Sequence, residues 1–136
     1  MLLVDTNVLI DVLENDPAWA QWSLRQLRAQ AQVHELLINP VIYAELSLAF
    51  DSVQALDKVL GGMQIEVREI PRPALFLAGR AFARYRRVGG TKSGVLSDFF
   101  IGAHAAVLGC GILTRDARRY SQHFKTVALL TPDSNN

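Results

Sequence analysis

The sequence lacks most of the features that mark disulfide-rich, zinc-binding and membrane proteins. Its single cysteine, Cys110, excludes an intrachain disulfide and a cysteine-based zinc site in a chain of 136 residues. A lone thiol in an apolar segment predicts a small buried core residue and is typical of a reducing compartment. The longest stretch without Asp, Glu, Lys or Arg, residues 99–114, is too short to cross a bilayer. Because Asp5 and Asp11 also interrupt any secretory signal, we expect a soluble, cytoplasmic protein.

Familiar catalytic motifs are absent as well. No serine lies in a Gly-x-Ser-x-Gly turn, and the chain has neither a P-loop nor a Gly-x-Gly-x-x-Gly segment. The histidines show no metal-ligand spacing, and His104 would lie nearly opposite Asp98 on one helix. We therefore interpret His34, His104 and His123 as structural residues.

Charge is unevenly distributed along a chain whose net charge is only +1. Residues 1–68 contain four Lys/Arg and nine Asp/Glu, a net charge of −5, whereas residues 69–136 contain ten and four, a net charge of +6. Ordinary surface charge can produce such a division. The functional alternative is an acidic centre beside a basic surface that guides a polyanion toward it.

Short apolar runs that alternate with helical segments predict an α/β protein. Strands are predicted over residues 2–4, 35–39, 65–70, 112–114 and 127–130, the third as an edge strand. Helices are predicted to begin near Thr6, Asp16-Pro17, Pro40, Asp51-Ser52, Pro71 and Ser97. This alternation implies a central parallel sheet of about five strands in a three-layer α/β/α sandwich. The length predicts one domain, residues 1–131, with a polar C-terminal tail, residues 132–136.

Four carboxylates lie where an apolar run stops or where a predicted helix begins. Asp5 follows the first strand, Asp116 follows the fourth, and Glu45 and Asp98 lie in the first turns of helices. Each has an ordinary explanation as a cap, a turn residue or a solvent-facing acid. However, the carboxyl ends of parallel strands share one edge of the sheet, where ligands bind. Carboxylates that meet there repel each other unless a cation joins them, so the set predicts a divalent metal site.

The types of residue in this set suit Mg²⁺ or Mn²⁺, which prefer carboxylate oxygens. Thr6, Asn7 and Thr114 place short polar groups beside the acids, where hydrogen bonds can orient them. A metal held in this way can bind a phosphate oxygen and lower the pKa of a water molecule. The predicted chemistry is therefore hydrolysis of phosphate esters.

Four segments resemble the PIN domain, and in particular the VapC-type toxins of prokaryotic toxin–antitoxin modules. They are DTN at 5–7, YAEL at 43–46, DFFIGAHA at 98–105 and LTRDARRY at 113–120. The resemblance implies a Mg²⁺- or Mn²⁺-dependent endoribonuclease that hydrolyses RNA phosphodiester bonds and inhibits translation. Asp5, Glu45 and Asp98 match the family's three core acidic positions, and Asp116 matches a fourth, more variable one.

The same resemblance implies partners. They are an RNA substrate, a cognate antitoxin and a second copy of the chain in a homodimer, the last two bound through the first helices. Trp19 and Trp22, three residues apart on a predicted helix, are candidates for that surface, although core packing is their default explanation.

Two groups of arginines are candidates for contacts with RNA phosphates. Arg84 and Arg87 would lie on one helix face, which ordinary solvation also explains. Arg115, Arg118 and Arg119 follow the fourth strand, closer to the predicted metal centre.

Other protein classes with clustered carboxylates fit the sequence less well. A receiver domain would need an acidic pair after the first strand, where this chain has the single Asp5, and an Asp-x-Asp-x-Thr phosphatase is excluded by Asn7. The alternative that remains is a catalytically silent RNA-binding or scaffold PIN module.

Overall fold

A five-stranded parallel sheet forms the centre of the protein, in a computed structural model that describes residues 1–92 and 94–132. The strands are β1 (Leu2–Val4), β2 (Leu36–Ile38), β3 (Ile65–Val67), β4 (Gly111–Leu113) and β5 (Leu129–Leu130). Their spatial order is β3-β2-β1-β4-β5, and every neighbouring pair is parallel. The predicted α/β sandwich with about five parallel strands is confirmed, as is the edge position of the third strand.

Six α-helices flank this sheet in the described part of the chain. They are α1 (Thr6–Leu13), α2 (Ala20–Ala31), α3 (Pro40–Leu46), α4 (Val53–Gly62), α5 (Arg72–Arg87) and α6 (Leu96–Leu108). Short 3-10 helices cover Ser47–Ala49 and Ala117–Arg119. Side chains cap three of the starts, since Asp5, Asn39 and Ser52 each accept a backbone N–H in the first turn of α1, α3 and α4. None of the helices described is both long enough and apolar enough to span a membrane.

The core lies on both faces of the central strands. Every residue of β1 and β2 is buried, and these strands consist only of Leu, Ile and Val. Helices on both faces remove the alternation of polar and apolar residues that a half-exposed strand would show. Each of these side chains stabilises the fold by about 1.5–3 kcal/mol through burial.

Two helices begin at residues other than those predicted. Helix α2 starts at Ala20 because Asp16 Oδ1 accepts from the N–H groups of Ala18 and Trp19, at 2.8 and 2.9 Å, and closes a turn before the helix. Helix α6 starts at Leu96, and Ser97 lies inside it rather than capping it. Trp19 therefore precedes α2, although its ring still packs edge-on against Trp22.

Three further predictions need smaller corrections. The third strand ends at Val67, three residues earlier than predicted. The fifth strand is confined to Leu129–Leu130, two residues shorter at its start than predicted. Cys110 is only partly buried, at the edge of the core, because it lies in the connection before β4. Of the predicted tail, only Pro132 belongs to the described residues, and residues 133–136 lie outside them.

The strand order places the candidate site. From β1 the sheet extends through β2 to β3 on one side and through β4 to β5 on the other. The order thus reverses between β1 and β4, where ligands bind beyond the carboxyl ends of the strands. Asp5 follows β1 and Thr114 follows β4, and the backbone N–H of Asp5 donates to the carbonyl of Leu113 at 2.9 Å. Side chains from two distant segments therefore meet at this edge.

Candidate functional site

Asp5 is the centre of a buried hydrogen-bond network at this edge. It is 0% exposed. Its Oδ1 accepts from the backbone N–H of Thr6 at 2.8 Å, and its Oδ2 accepts from Thr114 Oγ1 and Tyr120 Oη, each at 2.8 Å. Arg119 Nη1 donates to both oxygens, at 3.2 and 3.1 Å. Because each of these groups donates a hydrogen bond to Asp5, the arrangement favours the ionised carboxylate.

Arg119 joins Asp5 to a second carboxylate. Its Nε donates to Asp98 Oδ1 at 2.8 Å, and its Nη2 contacts the same oxygen. Asp98 lies in the first turn of α6, where the helix dipole also favours an anion. Two of the predicted acids, far apart in sequence, are thus held by one guanidinium. The sequence had suggested Arg119 only as a contact for RNA phosphates.

Burial and charge act in opposite directions on this cluster. Burial raises the pKa of Asp5, while the Arg119 charge and the hydrogen bonds from Thr114, Tyr120 and Thr6 lower it without removing the net rise. Burial lowers the pKa of Arg119, but the hydrogen bond to Asp98 and the charge of Asp5 outweigh it, so the pKa is raised. Burial, followed by the charge of Asp5, raises the pKa of Tyr120 well above 10.0, so its hydroxyl stays protonated and donates. Ionisation of Asp5 therefore depends on a nearby cation.

Glu45 reaches the same network through Thr6. Thr6 Oγ1 donates to Glu45 Oε1 at 2.7 Å, while the Thr6 backbone N–H donates to Asp5. Glu45 is half-buried on α3, which packs against α1. One residue therefore links the third predicted acid to the first.

The other predicted polar residues also lie in this network. Asn7 Nδ2 donates to Thr114 Oγ1 at 3.3 Å and lies 3.5 Å from Asp5 Oδ2. Asn7 Oδ1 accepts from the backbone N–H of Arg115 at 3.3 Å, which fixes the segment after β4 against α1. Thr114 Oγ1 in turn accepts from the backbone N–H of Asp116 at 3.1 Å. Thr6, Asn7 and Thr114 thus orient Asp5 and the two segments that carry the acids.

Asp116 is placed differently from the other three acids. Its Oδ1 accepts from the backbone N–H of Arg118 at 3.1 Å and caps the 3-10 helix Ala117–Arg119. Its side chain is 39% exposed and pairs with Arg118 Nε at 3.6 Å. Asp116 and Asp98 line the same open cleft. The structure therefore brings Asp5 and Asp98 together directly, Glu45 through Thr6, and Asp116 only to the edge of the site.

The predicted RNA-binding arginines fall into three situations. Arg115 Nε donates to buried Asp11 at 2.8 Å, and its guanidinium lies 5.7 Å from the ring centre of Trp19. Arg118 has a side chain that is 94% exposed beside the cleft. Arg84 and Arg87 are exposed in the last turn of α5 and do not line the cleft. Of the four, only Arg118 combines exposure with a position at the cleft.

The cleft beside the acids has a volume of about 480 Å³. Charged and aromatic side chains line it, among them Lys92, Asp98, Asp116, Arg118, Tyr85 and His123. The His123 ring lies 4.9 Å from the ring of Phe99 and 5.7 Å from that of Tyr85, whose hydroxyl accepts from the backbone N–H of Lys92 at 3.0 Å. His123, interpreted as structural from its sequence position, therefore belongs to the wall of this cleft.

His104 lies outside the cleft and connects two helices. It is 0% exposed, and its Nδ1 lies 3.2 Å from Asn39 Nδ2. Asn39 caps α3, which carries Glu45, and His104 belongs to α6, which carries Asp98. Because the Asn39 amide donates, the proton of His104 lies on Nε2, which has no hydrogen-bond partner among the described residues. The pair is consistent with the structural interpretation of His104.

The carboxylates at this site are the type of group that binds a divalent cation. No group of three metal-binding side chains, however, converges in the described part of the chain. Carboxylate oxygens are the ligands that Mg²⁺ and Mn²⁺ prefer. Asp5 and Asp98 are already held around one positive charge, the guanidinium of Arg119. This guanidinium marks a point at which the fold stabilises a cation.

Chains with the same fold occur in solved toxin–antitoxin complexes. A chain in the crystal structure of VapBC2 from Rickettsia felis, bound to a promoter DNA fragment, superposes with a TM-score of 0.73 at 15% identity, covering 96% of this chain and 97% of that one. A chain of VapBC-1 from nontypeable Haemophilus influenzae gives 0.72 at 16% identity, covering 96% of each. A chain of a toxin–antitoxin complex from Klebsiella pneumoniae gives 0.68 at 18% identity, covering 97% and 98%.

At these identities the likeness demonstrates a shared fold. No curated protein matches the sequence. The family model of the PIN domain matches residues 2–125, which include the four predicted acids and the segment after β4. Because this match spans nearly the whole sequence, the chain belongs to the PIN domain family.

Proposed function

We propose that this PIN-domain protein is a Mg²⁺- or Mn²⁺-dependent endoribonuclease, the toxin of a VapBC-type toxin–antitoxin pair that inhibits translation by cleaving RNA. One observation carries the proposal: Asp5 and Asp98 converge on a single positive charge at the carboxyl edge of the sheet, with Glu45 linked to them through Thr6. Membership of the PIN family and the shared fold with chains of VapBC complexes support it.

Asp5, Asp98 and Glu45 would hold the metal, and Asp116 would assist at the edge of the cleft. When bound, the cation supplies Lewis-acid stabilisation of the phosphoryl oxygens and lowers the pKa of a water molecule for attack on phosphorus. Thr114 and Tyr120 hold Asp5 Oδ2 in a fixed direction, so the carboxylate need not reorganise during the reaction.

The RNA would cross the cleft beside Asp98 and Asp116. Lys92 and Arg118 are exposed at this cleft and can contact phosphates, which position a strand without reading its sequence. Tyr85 and His123 offer ring surfaces on which bases can stack. Arg115 would contribute charge from beside the site, and Arg84 and Arg87 would extend the basic surface at the end of α5.

We also propose a cognate antitoxin and a homodimer as partners. The structural relatives come from VapBC and toxin–antitoxin complexes, which supports an antitoxin partner. The outer face of α2 carries a shallow groove between Leu24 and the exposed Arg25 and Arg28, next to Trp22 in the same helix. This surface is where a partner helix would bind.

The test is cleavage of an RNA pool by the purified protein with Mn²⁺, with EDTA, and with the variant Asp5→Asn. We expect cleavage by the wild type that EDTA blocks and that Asp5→Asn abolishes without loss of the far-ultraviolet circular dichroism spectrum. Asp51→Asn, which removes an exposed acid before α4, is the matched control and should cleave normally. Metal-independent RNA binding without cleavage would instead identify the silent RNA-binding module.

A further inference from the structure

Arg119 lies between the buried acids and the open cleft. Its side chain is 22% exposed and contributes to the wall of the cleft, as do Asp98 and Asp116. Asp5 is 0% exposed and does not contribute to that wall. A cation that enters through the cleft therefore meets the guanidinium before it reaches Asp5.

The oxygens of Asp5 have no free position for a further ligand. A carboxylate offers about four lone-pair positions. Oδ1 already accepts from Thr6 and Arg119, and Oδ2 accepts from Thr114, Tyr120 and Arg119, with the Asn7 amide a more distant donor at 3.5 Å. A metal ion can bind Asp5 only if one of these donors leaves.

Electrostatics identifies the donor that leaves. Among the hydrogen-bond donors to Asp5 in the described residues, Arg119 is the one with a charged side chain. Thr6, Asn7, Thr114 and Tyr120 donate through neutral groups, which a divalent cation does not repel as it repels a guanidinium. A cation beside the guanidinium would face a like charge in a site that burial keeps at low dielectric. The cleft of about 480 Å³ gives the displaced guanidinium room to move.

We propose that Arg119 is an internal counter-cation: it occupies the place of the metal in the metal-free protein and competes with divalent cations for Asp5 and Asp98. This inference rests on the proposed metal site and adds a competitor built into the chain. It explains how a buried carboxylate remains compatible with a stable fold before metal binds. It also makes the metal affinity lower than the same carboxylates would have on their own.

The first test compares metal affinities by isothermal titration of Mn²⁺ into wild type, Arg119→Gln and Lys125→Gln. Lys125→Gln is the control, because it removes one positive charge from an exposed side chain in the same part of the sequence. We expect Arg119→Gln to bind Mn²⁺ about tenfold more tightly than wild type, since the competing charge is gone. Lys125→Gln should change the affinity by less than about twofold.

The outcomes separate the two proposals. Equal Mn²⁺ affinities for wild type and Arg119→Gln would overturn the competition while leaving the metal site intact. No Mn²⁺ binding by either protein would refute the metal site, and the inference would fall with it. RNA cleavage is not needed for either conclusion.

Two further measurements do not depend on how well Arg119→Gln folds. Arg119→Lys keeps the charge but loses the planar fork that joins two carboxylates, so it should compete less well and bind Mn²⁺ more tightly than wild type. In wild type, the NMR signal of Arg119 Nε–H, assigned by its loss in Arg119→Lys, should move on addition of Mg²⁺. A signal that stays in place at saturating Mg²⁺ would show that the guanidinium never leaves and would overturn the proposal.

Discussion

Two arginines in the segment after β4 pair with buried acids, and they differ in the number of acids that each one holds. Arg115 pairs with one buried acid, Asp11, at 2.8 Å. Arg119 pairs with two acids, Asp5 and Asp98. In both cases an acid on or just before α1 is buried and the arginine is partly exposed. Arg115 and Asp11 balance each other in charge, whereas Arg119 balances only one of the two negative charges of Asp5 and Asp98.

This difference in charge balance predicts a structural role for the Arg115 pair and a chemical role for the Arg119 cluster. Asp11 Oδ2 also accepts from the Ser23 hydroxyl at 2.9 Å, so α1, α2 and the segment after β4 are joined by a network in which one arginine balances one acid. The Arg119 cluster is also joined to Glu45 through Thr6, which adds further negative charge. Excess negative charge in a largely buried network favours the binding of a further cation. We therefore expect substitutions in the first pair to change stability and substitutions in the second to change chemistry.

The sharpest test of this contrast exchanges Asp for Asn in each pair. Asp5→Asn should lower kcat/KM for RNA cleavage by about a thousandfold or more, because the ligand that positions the metal is lost. Asp11→Asn should leave kcat/KM within about threefold but lower the free energy of unfolding by about 1–3 kcal/mol, because the Arg115 guanidinium loses the negative charge of its buried partner. Urea unfolding and initial-rate kinetics on both variants measure the two effects. The contrast would be lost if Asp11→Asn reduced cleavage as severely as Asp5→Asn.

A second test compares an exposed arginine with the paired one. In a protein that also carries Asp5→Asn and therefore does not cleave RNA, Arg118→Gln should weaken RNA binding. It should also reduce the slope of log K against log salt by about one, since one phosphate contact is lost. Its stability should stay within about 0.5 kcal/mol, because the side chain is 94% exposed. Arg115→Gln, in contrast, should lower the free energy of unfolding, because it breaks the pair with Asp11. Fluorescence anisotropy at several salt concentrations checks the prediction, and an unchanged slope in Arg118→Gln would remove Arg118 from the RNA path.

The sheet, and the position of Asp5 at its carboxyl edge, could be predicted because the signals are local. Buried parallel strands appear as short runs such as Leu2–Val4, and an acid that directly follows such a run lies at the carboxyl edge. The starts of α2 and α6 could not be predicted, since Asp16 serves a turn that precedes its helix, and Ser97 lies inside the next one. These choices depend on how each helix packs, which local preference does not determine.

The roles of Arg119 and Tyr120 were not apparent from sequence for a different reason. Both follow Asp116 in a run of polar residues that resembles an exposed turn. The 3-10 helix Ala117–Arg119 turns these two side chains inward toward Asp5, while Arg118 between them points to solvent. Direction within a three-residue helix has no periodic pattern that a sequence can reveal. A signal exists only in composition, because a charged residue beside an aromatic one after a strand can mark a buried network.

The smallest predicted effect concerns a neutral pair, Asn39 and His104, which carries no charge to balance. Burial, followed by the charge of Arg68, lowers the pKa of His104. The unfolded chain therefore binds a proton that the folded chain refuses, and stability falls as pH drops below about 6.5, the ordinary histidine pKa. The loss at pH 5.5 is at most about 1.4 kcal/mol relative to pH 7.5. It should be smaller in His104→Leu, which removes both the titration and the unpaired Nε2–H. Urea unfolding at the two pH values measures the difference, and an identical pH dependence in both proteins would show that His104 is not kept neutral by the fold.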